Sequence, residues 1–240
     1  LDILKVGAAE VWAVLTVETR GFGYLPDRRP LILFERHIFH RQTGGVFDAA
    51  HSSISSASPG GYLGGAQEYS RLAEASALDH PAALRSTSWA IGQVMGFNSS
   101  LAGFPSVEAM VDAMVQDEDA QLRGMASFVR ARGLHTHLAA HDWAKFAQGY
   151  NGADFSQNQY DTRLASFFLK FSQGPLPNVR VRQVQAMLTF LGIDPNGVDG
   201  VVGKRTRSAV VRFRELHGMS GSDEIDEALV AALRAKIAAA

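Results

Sequence analysis

Three carboxylates near the start of the chain have surroundings that could do chemistry. Glu18 closes an apolar stretch, "VLTVE", and a turn broken by Gly21 and Gly23 follows. A carboxyl at the end of an apolar helix is partly desolvated, which raises its pKa toward neutrality. A carboxylic acid still protonated near pH 7 can act as the general acid that protonates a glycosidic oxygen. Cleaving a glycoside with water commonly takes a second carboxylate across the bond. Asp27, beyond the turn, is the first choice for that role, to steer water or stabilise an oxocarbenium-like state. Its plainer reading is a turn residue between Pro26 and two arginines. Glu35 in "ILFERH" is the rival; its apolar flanks equally suit a structural carboxylate paired with Arg36 or a histidine.

Other chemistries lack their residues. The chain has no cysteine, so thiol nucleophiles, thiolate zinc sites and disulfides are excluded. Of its 8 histidines, His37 and His40 lie three apart, and His135, His137 and His141 cluster. No His-Glu-x-x-His motif appears, and "HTHLAAH" is flanked by no matching acid at ligand spacing, so no metal and no cofactor is expected. Gly-x-Ser-x-Gly, phosphate-binding and dinucleotide fingerprints are missing too. A net charge of -1 gives no basic field for nucleic acid or an anionic membrane. No apolar run reaches the roughly 18 residues of a membrane span. The start, "LDILKVGAAEVWAVL", lacks a basic leader and is not read as a signal peptide.

These residues need elements to hold them. Val6, Ala9, Ala13 and Val17 recur at helical spacing and predict a helix from about Val6 to Thr19, ending at the glycines. "PLILFERHIFHRQ" could be a buried strand turning into a helix, though periodicity alone does not decide. His51 to Gly65 is a long Ser/Gly loop, a connector or the lining of a site. Helices are expected over Ala66 to Leu78, Ala82 to Val94, Val107 to Arg132, with Ser106 as cap, Asp142 to Gln148 and Asp161 to Phe171. "SQGPLPN" then breaks the pattern. Beyond it, three short amphipathic helices are expected: one closed by Gly192, one by Gly218, and one capped by Ser222. The expected domains are 1–173, a linker at 174–178, and 179–240.

Four stretches, "VETRGFGYLPDRRPLILFERHIF", "GGYLGG", "SWAIGQVMGFN" and "WAKFAQGYNG", together resemble the phage-type N-acetylmuramidase domain of modular endolysins, over about residues 5 to 171. The resemblance implies a mainly α fold: a lysozyme-like helical catalytic domain with a minor β element, followed by a small C-terminal three-helix bundle. It places Glu18 at the catalytic acid. Ser88, Gly92 and Gln93 fall on the family's middle motif, and Tyr150 and Asn151 on its late motif. Ser88, Gln93, Tyr150 and Asn151, with Glu35 as a weaker member, are therefore the expected substrate-binding residues. Amides suit N-acetyl and hydroxyl groups of sugar, and Phe22, Tyr24 and Tyr62 are expected beside the groove. Trp89, Met95 and Phe97 read as core. The tail resembles the three-helix peptidoglycan-binding domain through Asp199, Gly200, Gly203 and Thr206, residues read as shaping a turn; "SGSDEIDEAL" replaces that family's second turn.

The expected function is hydrolysis of the β-1,4 bond between N-acetylmuramic acid and N-acetylglucosamine in bacterial peptidoglycan. The resemblance implies a monomer made in the host cytoplasm that reaches the wall after release, without nucleic-acid or integral membrane partners. The rival chemistry is a lytic transglycosylase, which leaves 1,6-anhydro ends and needs only one acid. A non-catalytic wall-binding protein and a metal-dependent amidase are the alternatives from other classes.

Overall fold

A computed structural model describes residues 2–152, 156 and 158–239. Helix α1 spans Ala8–Thr19 and buries Ala13, Val14, Leu15 and Val17. It ends as the glycine-rich turn dictates: Arg20 is left-handed, and Gly21, at φ +84°, returns its N–H to the Leu15 carbonyl at 2.9 Å. The apolar run after Pro30, which its periodicity leaves open, divides into strand β1 (Ile32–Phe34) and helix α2 (Arg36–Thr43).

The Ser/Gly segment 51–65 has almost no regular structure of its own. Helix α3 (Glu68–Leu78) holds it. Glu68 and Arg71 are both buried and paired at 2.9 Å. Glu68 accepts from the backbone N–H of Leu63, Gly64 and Phe34. Arg71 donates to the carbonyls of Phe34 and Ser53, and Arg36 to those of Ser58 and Pro59.

The expected helix from Ala82 to Val94 does not form. Helix α4 covers only His80–Arg85, and the chain then makes strands β2 (Thr87–Trp89) and β3 (Val94–Met95). The sheet is antiparallel in the order β1-β2-β3, with Leu33 opposite Ser88 and Trp89 opposite Val94. Two features override the helical pattern. Ala90 and Gln93 take positive φ at the ends of the hairpin turn. Gly96 passes so close to α4 that a Cβ there would lie 2.1 Å from the Leu84 carbonyl oxygen. Trp89 is buried as expected, whereas Phe97 is exposed.

The single long helix expected over Val107 to Arg132 is two, α5 (Val107–Gln116) and α6 (Glu118–Ala131). Asp117 is extended and caps α6 by accepting from the Ala120 N–H, an N-cap role that a carboxylate fills better than a helix interior. Ser106 caps α5 as expected. A short helix α7 (Leu134–Ala139), missed in the pattern, precedes α8 (Trp143–Asn151) and α9 (Tyr160–Gln173). Helix α9 lies along α1, and the two share the large core of the first unit.

Helices α10 (Val179–Phe190), α11 (Lys204–Leu216) and α12 (Glu227–Ala238) enclose a core of their own around Leu188, Val210, Phe213 and Leu229. The cap of α12 is Asp226, not Ser222. Buried Gln185 organises the Asp-Gly turn: its amide donates to Asp199, Val201 and Thr206, and its oxygen accepts from Gly200 N–H at 2.8 Å. Gly200, at φ +75°, lies against Pro177 and Asn178, where a Cβ would meet atoms at 2.9–3.0 Å. Replacing Gln185 with Leu removes four partners at once. Urea unfolding should show this unit destabilised by roughly 2 kcal/mol, with the unfolding of the first unit unchanged.

Candidate active site

Glu18 sits in the last turn of α1, a helix with no basic residue in that turn. An acid there opposes the helix dipole. Two guanidinium groups from elsewhere in the chain occupy this end. Arg163 of α9 donates to the Val17 carbonyl at 3.2 Å, and Arg182 of α10 donates to the Gly21 carbonyl. Thr19 ties the same end to the hairpin turn by donating to the Ile91 carbonyl at 3.2 Å. The C-terminus of α1 is thus fixed from three directions while its carboxylate points inward.

Burial raises the Glu18 pKa from 4.5 to about 7; the Tyr160 hydroxyl, the Asn151 amide and the charge of Arg163 pull the other way without cancelling it. Oxygen Oε1 of Glu18 is sealed from solvent and meets no hydrogen-bond partner among the described residues. A buried carboxylate oxygen without a donor is costly when charged, and a proton removes much of that cost. With its pKa at about 7 the group is about half protonated at neutral pH, where an ordinary glutamate has lost its proton, so a proton donor is available there.

Tyr150 and Tyr160 flank it. Burial and the nearby Glu18 raise both phenols, so each stays a neutral donor. Tyr150 stacks on Phe146 and donates to the Gly92 carbonyl at 2.5 Å, joining α8 to the hairpin turn. Asn151 ends α8 and is exposed, with its side chain reaching Glu18. The structure thus brings Glu18, Tyr150 and Asn151 together.

The other expected site residues have different surroundings. Ser88 donates to Gln93 Oε1 at 2.9 Å, and Gln93 donates to the carbonyls of Ala90 and Leu31 at 2.8 and 3.2 Å. The pair braces the hairpin on which Ile91 and Gly92 approach the acid. Asp27 is exposed and held by Arg29, which donates from its backbone and from Nε and Nη2 at 2.6–3.1 Å. Those hydrogen bonds from Arg29 keep its carboxyl below the usual range. Glu35 follows β1, accepts from the Tyr62 hydroxyl at 2.8 Å and lies 3.1 Å from His37. It is at the end of β1 away from Leu31, the residue that meets the hairpin turn. Of the expected groove aromatics, Tyr62 is exposed, Tyr24 donates to the Met114 carbonyl, and Phe22 packs on Phe190 of α10.

Tyr160 and Arg163 were not singled out in the sequence. They open α9 in "QYDTR", and Tyr160 and Arg163, at i and i+3, share a helix face; that spacing was the available signal. Among the described residues, no three His, Asp or Glu side chains converge as a metal site, and no helix is long and apolar enough to cross a membrane.

The sequence matches the N-acetylmuramidase family over residues 7–172 and a peptidoglycan binding domain over residues 177–233. It is also similar to the crystal structure of a Burkholderia AP3 phage endolysin, with 43% identity and a TM-score of 0.65, covering 72% of this chain and 67% of that one. No match is found among curated proteins.

The Glu18 environment makes a thermodynamic prediction that does not depend on substrate. The unfolded chain releases this proton near 4.5 and the folded chain near 7. Between those values the folded state binds more protons, so stability from this group is complete below about 4.5 and is lost as pH rises through 7. Glu18→Gln should therefore melt at the same temperature as the parent at pH 4. At pH 8 it should be more stable by up to roughly 3 kcal/mol, as measured by thermal unfolding at both pH values.

Proposed function

Since the chain belongs to the N-acetylmuramidase family and is thereby a glycoside hydrolase of peptidoglycan, we propose that Glu18 is its catalytic acid. The observation carrying this is the sealed carboxyl at the end of α1, with its pKa near 7. In the reaction, the Glu18 carboxyl gives its proton to the oxygen linking N-acetylmuramic acid to N-acetylglucosamine. The β-1,4 bond breaks as positive charge develops on the muramic ring. Asp27, held ionised by Arg29, is the proposed counter-carboxylate that steers water or stabilises that charge. The two carboxyls are pushed in opposite directions, Glu18 up by burial and Asp27 down by Arg29, which suits one to give a proton and the other to stay ionised.

Asn151, the ring of Tyr150, whose hydroxyl is given to the Gly92 carbonyl, and as a lesser contact Glu35 are proposed to bind sugar. Ser88 and Gln93 serve binding through the shape of the hairpin, since Gln93 spends its amide on backbone carbonyls. The proposed division is a catalytic domain at 1–173, a linker at 174–178 and a wall-binding domain at 179–240. The second domain raises the local concentration of substrate. The likeness to a phage endolysin supports a monomer made in a host cytoplasm that lyses the cell from within once it reaches the wall.

Glu18→Gln should abolish clearing of permeabilised cells, a loss of 10³-fold or more at roughly the scale of a missing general acid, while the variant still sediments with wall fragments. Asp27→Asn should lower turnover by at least about tenfold; full activity would remove Asp27 from the mechanism. Mass spectrometry of digested wall should show reducing-end muramic acid, and 1,6-anhydro ends would instead mean transglycosylation. Turnover should fall as pH rises past about 7, the value at which Glu18 loses its proton.

A further inference from the structure

The C-terminal unit reaches into the region behind the acid. Arg182, on α10, is the contact. Its Nε and Nη2 donate to the Gly21 carbonyl at 2.9 and 2.6 Å, and its Nη1 donates to Glu118 at 2.6 Å, with a second bond from Nη2 to the same carboxylate. The guanidinium is largely buried and lies over the Phe22 ring, 5.6 Å from its centroid. Phe190, from the same helix, packs on Phe22 at 5.8 Å and under Arg28 at 5.6 Å. Glu118 is in the first turn of α6, where the helix dipole favours a carboxylate.

Gly21 is the residue that closes α1. Its N–H already satisfies the Leu15 carbonyl, and its own carbonyl has Arg182 as partner. The chain leaves Glu18 through this residue. A planar guanidinium bonded on one edge to that carbonyl and on the other to a fixed carboxylate restrains both position and direction, as a fork of donors does and a point charge does not. We infer that Arg182 is a positioning residue for the acid on Glu18, so that the wall-binding unit completes the catalytic architecture as well as tethering it. This rests on the reading of Glu18 as the acid.

Arg182 in this role does more than stabilise the fold. If the Gly21 anchor is lost, the end of α1 loosens and water reaches the Glu18 carboxyl. The groups facing that carboxyl are Tyr150 and Asn151 from α8 and Tyr160 and Arg163 from α9; none of them changes in the variant. The limb of the rate profile that reports loss of the Glu18 proton should then move to lower pH.

The test uses the full chain and a soluble, uncrosslinked glycan of alternating N-acetylglucosamine and N-acetylmuramic acid. Arg182→Ala should lower kcat about tenfold, the scale of a small misplacement of a reacting group, with KM within twofold and sedimentation on wall fragments unchanged. Its upper pH limb should shift down by roughly half a unit or more. Arg182→Lys should be intermediate, and adding Glu118→Gln to Arg182→Ala should cost nothing further, because the two act as one unit. An unchanged kcat and pH limb would overturn the inference. So would a loss of turnover that merely tracks the folded fraction, with the limb in place. If Arg182→Ala does not fold, the pH limb of Arg182→Lys decides by the same criterion. Glu18→Gln is run alongside: activity in that variant sinks the acid assignment itself, whereas an inactive Glu18→Gln with a fully active Arg182→Ala sinks only the role of Arg182.

Discussion

A carboxyl group kept out of water at the negative end of a helix is the costly element around which this protein is organised. Helix propensity does not explain Glu18, because its position at the C-terminus of α1 is electrostatically wrong for an acid. Tertiary structure holds it there. Helix α9 supplies a tyrosine and an arginine, α8 supplies a tyrosine and an asparagine, and the hairpin turn presses in from the third side. Each contact needs the others: Tyr150 is fixed by the Gly92 carbonyl, and Gly92 is fixed because a Cβ there would meet Met125 at 2.6 Å. The sheet is small, but it is the anvil against which the acid is set.

Both units spend buried polar side chains on irregular segments. In the first, the ion pair of Glu68 with Arg71 gives its remaining capacity to backbone groups. In the second, the amide of Gln185 bonds a tight turn from beneath, and buried Arg214, paired with Asp226 at 2.8 Å, donates to the Glu224 carbonyl at 3.1 Å. In each case polar side chains replace the hydrogen bonds that regular structure would have given to an irregular segment, which is what a buried loop requires. The contact between the units uses the same device, with Arg182 satisfying a carbonyl at a helix end.

Much of this was legible in the sequence, and the failures have common causes. The end of α1 was readable because apolar spacing and the glycines agree. The turn from β1 into α2 was only partly readable, because a dense apolar run allows a strand entering a helix without its periodicity deciding the matter. The hairpin from Thr87 to Met95 was not, because its apolar residues also fit a helical face. What decided the matter was positive φ at Ala90 and Gln93, residue types that do not advertise it. The break at Asp117 was hidden for the opposite reason: an acid inside a helix and an acid at an N-cap look alike until the capped N–H is seen. Within the candidate site, Glu18, Tyr150 and Asn151 could be anticipated from family motifs. Tyr160 and Arg163 left only their i, i+3 spacing as a signal, because they matter through closeness in space to a residue far away in the chain. That Gln93 spends its side chain on its own hairpin was equally out of reach of a linear pattern.

The loop from His51 to Gly65 carries a further implication. Arg36 and Arg71 grip it through main-chain oxygens at Ser52, Ser53, Ser58, Pro59 and Gly60, and Glu68 holds the main-chain nitrogens of Leu63 and Gly64. Its outline is therefore set mostly through the main chain, with buried Ile54 and Ser55 and four glycines at positive φ as fixed points. The exposed side chains of Ser52, Ser53, Ala57 and Ser58 lie outside that framework, so evolution or a protein engineer can rewrite them to suit a different wall chemistry without reshaping the scaffold underneath.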